Sequence, residues 1–164
     1  MADKKISELT EASPLDGTED LPLVQAGTTV RTSTQDIADL AIKTAKVSVS
    51  SAEILALNGT PKQLVAAPGA GKILVPIAVT YKFTYGSAAY TTNLNLRLRM
   101  GFTLTQNAGI LGLSGNAYAM QPLAGGVVSS DVSNTAITLD VATGDPAAGN
   151  GTMIVYVSYV TITL

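Results

Sequence analysis

The chain predicts a mainly β protein: a β-sandwich, with the jelly roll as its specific form, carrying a small amino-terminal arm that contains a hairpin and a short helix. Three observations point there. The last twelve residues, Met153 to Leu164, are an uncharged β-branched and aromatic run, the composition of a strand set between neighbouring strands or pressed against another subunit. From Val47 onward helical spacing disappears, and short alternating runs are separated by Gly, Asn, Asp and Pro. The hydrophobic share, 46% of 164 residues, suffices for one core of ordinary size plus an appendage.

Residues 1 to 46 form the arm. Lys5-Ile6-Ser7-Glu8-Leu9 places apolar residues three apart before the Ser13-Pro14-Leu15-Asp16-Gly17 break, which fits a turn or extended segment as well as a helix. Leu21-Pro22-Leu23-Val24-Gln25 and Thr28-Thr29-Val30-Arg31-Thr32 flank Ala26-Gly27 and predict a hairpin with Pro22 near its edge. Ser33 or Thr34 then caps a helix that places Ile37, Leu40 and Ala41 on one face as far as about Lys43, with Lys43 and Lys46 favourable at its carboxyl end. So small a module buries too little apolar area to stand alone, and it needs a surface to lie on.

Residues 47 to 164 form the β-domain. Val47 and Val49 alternate with serines, and Leu64-Val65-Ala66-Ala67 ends at Pro68-Gly69. Ile73, Val75, Ile77, Val79, Tyr81 and Phe83 share one parity in a long strand, and Pro76, which cannot donate to a ladder, predicts a bulge or an edge there. Leu94, Leu96 and Leu98 alternate with Asn93, Asn95, Arg97 and Arg99, a strand with one apolar face. The two arginines fit an anion site, a solvated face or ion pairs between subunits. Further strands are expected at Gly101 to Leu104, around Tyr118-Ala119-Met120, at Ala136 to Val141 and in the final run, with no intervening helix.

Composition removes whole classes of chemistry. The chain has no cysteine and no histidine, so disulfide scaffolds, thiol nucleophiles, histidine-based triads and histidine metal centres are excluded. A net charge of -2 argues against a nucleic-acid surface. The amino end has no long apolar segment, so neither a signal peptide nor membrane insertion is expected. Asn58-Gly59-Thr60 and Asn150-Gly151-Thr152 match the glycosylation sequon but read more simply as turns.

Charge is distributed unevenly. Residues 1 to 46 hold eight of the twelve acids and five of the ten bases; beyond Arg99, 65 residues hold three acids and no base. A lone soluble domain normally has a mixed ionic surface, so the charge-poor portion is expected to share its surface between subunits, where desolvating ions is unfavourable.

Other candidate sites are weaker. Ala67-Pro68-Gly69-Ala70-Gly71-Lys72-Ile73 looks like a phosphate loop but has Ala66 and Ile73 where the first glycine and the magnesium-holding hydroxyl belong. The β-domain acids Glu53, Asp131, Asp140 and Asp145 are too few and too scattered for a convincing carboxylate pair. Six tyrosines and no tryptophan fit half-buried sheet positions better than a sugar-stacking platform.

Lys5-Ile6-Ser7-Glu8-Leu9, Asp20-Leu21-Pro22-Leu23-Val24-Gln25-Ala26-Gly27-Thr28-Thr29 and Asp36-Ile37-Ala38-Asp39-Leu40 resemble the leaders of bacteriophage tail and fibre proteins. Ser51-Ala52-Glu53-Ile54-Leu55-Ala56-Leu57-Asn58-Gly59-Thr60-Pro61, Leu64 to Lys72 and Gly149-Asn150-Gly151-Thr152 resemble β-rich phage structural domains. The resemblance touches about half the chain and is to small virion structural proteins, found as tail, fibre or capsid-attached (capsid decoration) components.

It implies a non-enzymatic virion protein without cofactor or metal, often a homotrimer, whose partners are other phage structural proteins. A receptor- or carbohydrate-binding module of the same particle, contacting a host-surface receptor through Tyr85, Tyr90 or Tyr118, is the alternative. Ile6, Leu9, Leu21, Leu23, Val24, Ile37 and Leu40 are expected to attach the arm to the particle. Val155, Tyr156, Val157, Tyr159, Val160, Ile162 and Leu164 are expected at the oligomer interface.

Overall fold

A computed structural model describes residues 19–34, 37, 41–123 and 131–164. The described residues are mainly β-sheet with little helix. It divides into two compact units, 1–41 and 42–164.

In the first unit, β1 (Asp20–Gln25) pairs antiparallel with β2 (Thr28–Ser33). Ala26 and Gly27 both adopt positive φ, 49° and 80°, the backbone of a two-residue turn whose twist matches the strands. Arg31 pairs with Asp20 across the hairpin at 2.8 Å, both side chains exposed, and the Thr34 hydroxyl donates to Glu19 Oε2 at 2.6 Å. Thr34 and Ile37 have helical backbone. The remaining residues of the expected helix up to Leu40, and the segment holding Ile6 and Leu9, lie outside the described residues. The expected helix end at Lys43 and Lys46 is corrected: both belong to a strand, β3 (Lys43–Val49), where Ala45, Val47 and Val49 alternate inward.

Among the described residues the second unit holds eight strands in two four-stranded antiparallel sheets. Besides β3 these are β4 (Lys62–Val65), β5 (Lys72–Thr84), β6 (Leu96–Met100), β7 (Phe102–Asn107), β8 (Ala117–Pro122), β9 (Ile137–Val141) and β10 (Thr152–Thr163). One sheet has the order β3-β10-β5-β8, the other β4-β9-β6-β7. Both supply one core: Val79, Tyr81, Phe83, Val155 and Val157 from the first sheet, Leu96, Leu98, Ile137 and Leu139 from the second. Each large aliphatic side chain so buried contributes about 1.5–3 kcal/mol.

A helix, α1 (Ser51–Ile54), interrupts the strands where none was expected. Ser50 and Glu53 form a capping box, each side chain accepting from the other's backbone N–H, and Ile54 and Leu57 are fully buried. A short 3-10 turn at Ile110–Gly112 buries Ile110 and Leu111.

The bulge expected near Pro76 is present. Ser158 faces Ala78 and Tyr159 faces Pro76, so Ile77 is the extra residue, and its carbonyl accepts from Leu123 N–H at 2.8 Å. The insertion flips the side-chain alternation. Leu74 is therefore in the core at 2% exposure while Ile77 is 38% exposed, which corrects the single parity expected from Ile73 to Phe83.

Candidate functional site

The unit from 42 to 164 carries four acids and seven bases, a net +3; residues 1 to 41 carry eight acids and three bases, a net -5. All four acids of the β unit serve its own fold. Glu53 pairs with Lys62; that bond, then those from the Ser50 backbone and hydroxyl, hold its carboxyl down at about 2. Asp131 accepts from Ser133 N–H at 2.8 Å, which lowers its pKa, and Asp145 accepts from Asn58 N–H at 2.7 Å.

Asp140 is the deepest of the four, 3% exposed. Arg97 holds it with two parallel bonds, Nε to Oδ1 at 2.8 Å and Nη2 to Oδ2 at 2.9 Å, and Arg99 Nη1 adds a third at 3.1 Å. Asp140 stands directly opposite Arg97 in the β6/β9 pairing. The arginine row is thus an ion pair within the chain, in place of the solvated face or intersubunit pairs considered from sequence. The planar guanidinium suits such bidentate contact.

The outer face of the other sheet differs. Inward burial of Val155, Val157, Val79 and Tyr81 directs the alternate positions outward, and the register aligns them in rows. One row runs Lys46, Tyr156, Thr80, Met120; its neighbour runs Ser48, Ile154, Lys82, Tyr118. Met120 is 77% and Tyr118 66% exposed, on the edge strand β8. No acid lies in these rows, and neither Lys46 nor Lys82 has a carboxylate partner among the described residues.

The residues expected at an oligomer interface separate into two groups. Val155 and Val157 are fully buried in the chain's own core and have no surface to offer another subunit. Tyr159 also packs against that core. Tyr156 and Val160 are half-buried, and Ile162 (46%) and Leu164 (74%) are exposed. The final residue is tied down by Leu164 N–H donating to Gly71 O at 2.8 Å. In the arm, Leu21, Val24 and Ile37 are exposed. The side chain of Leu23, like Ile6, Leu9 and Leu40, lies outside the described residues.

The remaining motifs resolve into structure. Gly69 N–H donates to Asn134 Oδ1 at 2.9 Å, and the turn feeds strand β5 where a phosphate loop would feed a helix. Asn150 Oδ1 accepts from Ser87 and Ala88 N–H at 2.8 and 3.0 Å, and its Nδ2 donates to the Ser87 hydroxyl; the Asn58 amide donates to Val141 O. Both sequon amides are thus engaged in turns. Gly149 has a φ of 81°, and a Cβ there would run into the Tyr90 ring.

Tyr90 is buried and donates to Gly151 O at 2.7 Å, while Tyr85 packs against the core. Of the three tyrosines considered for a receptor contact, Tyr118 alone is exposed, and it lies on strand β8. Burial also pushes the Tyr81 phenol far above its usual range.

Among the described residues no group of three or more Asp or Glu side chains could hold a metal ion. No described helix is long and apolar enough to cross a membrane. A shallow cavity of about 260 Å³ beside α1 is lined by Ala52, Glu53, Ala56, Thr60, Pro61 and Lys62, and its two charged groups are paired with each other.

Neither a protein-family model nor a curated protein matches this chain. Among solved structures it is similar to a chain described as "Cyanophage Pam1 capsid asymmetric unit", with a TM-score of 0.43 and 19% identity over 97% of this chain and 98% of that one. At that level the similarity assigns neither family nor activity.

Proposed function

We infer that the protein is a non-enzymatic structural component of a bacteriophage virion, in which the 42–164 unit is a β-sandwich that assembles with copies of itself and residues 1–41 form the attachment arm. The observation that carries this reading is the acid-free outer face of the β3-β10-β5-β8 sheet. It presents Tyr118, Met120, Tyr156 and Ile154 beside two lysines that have no carboxylate partner among the described residues, while Glu53, Asp131, Asp140 and Asp145 are each bonded within the unit. Apolar and aromatic side chains with few charges are what a shared surface uses. The resemblance of the arm and of the Gly149-Asn150-Gly151-Thr152 turn to phage structural proteins supplies the particle.

Function here is adhesion through preformed surfaces, with a homotrimer as the proposed assembly. Deleting residues 1–41 is expected to leave the β unit folded, with its β-type circular dichroism and cooperative melt intact, and absent from purified particles. A truncated chain still incorporated at the full-length level would refute the arm's role.

A further inference from the structure

We propose that the outer face of the β3-β10-β5-β8 sheet is the docking surface for the acidic amino-terminal arm of a second copy of this chain. This rests on the assembly reading above and names the partner of that face.

The argument is charge complementarity on two separate units. The β unit carries seven bases and four acids, a net +3; the arm carries three bases and eight acids, a net -5. Two of the surplus bases, Lys46 and Lys82, project from the same sheet face, flanking β10 at Tyr156 and Ile154, roughly 12 Å apart from strand spacing and rise.

Beyond Lys82, on the edge strand β8, lie Tyr118 and Met120, both more than half exposed. The arm offers matching chemistry: carboxylates along its length and apolar side chains turned to solvent, Leu21 at 39% and Val24 at 76%. An acidic segment with apolar anchors is the ligand that a lysine-bearing aromatic sheet face fits. An arm that reaches the next copy, whose own arm reaches onward, is a heterologous contact, which closes into a ring when the rotation allows.

The test uses full-length chain. Equal amounts of ¹⁴N- and ¹⁵N-labelled protein are mixed in denaturant and refolded together so that assemblies contain both labels, joined with a carbodiimide that links amines to adjacent carboxylates, and digested for mass spectrometry. Peptides joining Lys46 or Lys82 to arm acids between Asp3 and Asp39, with mixed isotope labels, are expected. Links confined to one label would overturn the proposal by placing each arm on its own domain. Absence of any link from Lys46 and Lys82 in a sample that still self-associates would overturn it by placing another surface in the contact. A monomeric sample would overturn the assembly reading as well.

The double variant Lys46→Glu/Lys82→Glu is expected to weaken self-association about tenfold at low salt with its thermal midpoint unchanged, since both side chains point away from the core. Adding Glu8→Lys and Glu11→Lys is expected to restore part of it. Unchanged association in the lysine variant would count against the docking surface.

Discussion

The two sheets of the β unit treat charge in opposite ways. On β4-β9-β6-β7, Arg97 and Arg99 close on Asp140 until the carboxylate is 3% exposed, so charge is neutralised inside the chain. On β3-β10-β5-β8, Lys46 and Lys82 stand among tyrosines, Ile154 and Met120 with no acid in their rows. A face that neutralises itself has no electrostatic need of a neighbour, whereas a cationic, apolar face gains from an acidic one. The location of carboxylates, more than the number of bases, is what separates the two faces.

The sharpest way to break this comparison is to remove one base from each face. Arg97→Met strands the buried Asp140 with Arg99 alone, and a loss of about 3 kcal/mol in denaturant unfolding is expected. Lys82→Met, on the other face, is expected to change stability by less than about 0.5 kcal/mol. Equal effects would erase the distinction between the faces.

An intermediate effect is expected at the clasp that joins the 85–90 loop to the start of β10. Gly149→Ala must hold a φ of 81° and meet the Tyr90 ring; a loss of about 2 kcal/mol is expected by chemical unfolding.

The smallest effect is titration of Glu53. Its pKa is depressed from 4.5 to about 2, so its contribution is fully present above pH 4.5 and is lost as pH falls from there toward about 2. The side chain is 41% exposed, which limits the contribution to under about 1 kcal/mol. Glu53→Gln is expected to lower the unfolding midpoint slightly at pH 7 and to match wild type near pH 2; a constant difference across that range would assign the effect to packing.

Much of the fold was legible locally. Period-two runs located the strands, Ala26-Gly27 located the hairpin turn, and Pro76 located the bulge. The helix α1 was legible too, because Ser50-Ser51-Ala52-Glu53 is a capping-box pattern; the serine alternation around Val47 and Val49 obscured it. What local pattern does not carry is which face of a strand the rest of the chain covers. β10 was identifiable as a strand, but only its placement between β3 and β5 assigns Val155 and Val157 to the chain's own core. Likewise Arg97 and Asp140 are 43 residues apart, and only the β6/β9 register makes them a pair. The acid-free outer face needed three strand registers at once, so Lys46, Lys82 and Met120 were not recognisable as one surface from sequence.

Sedimentation of the full-length 16.8 kDa chain over a range of concentrations tests the central claim most directly. A discrete assembly, three-fold in the proposed form, in which Tyr118 and Met120 become protected from solvent oxidants as it forms, is the expected result. A folded monomer at the highest concentration, with both side chains fully reactive, would contradict the claim that this face is built to be covered.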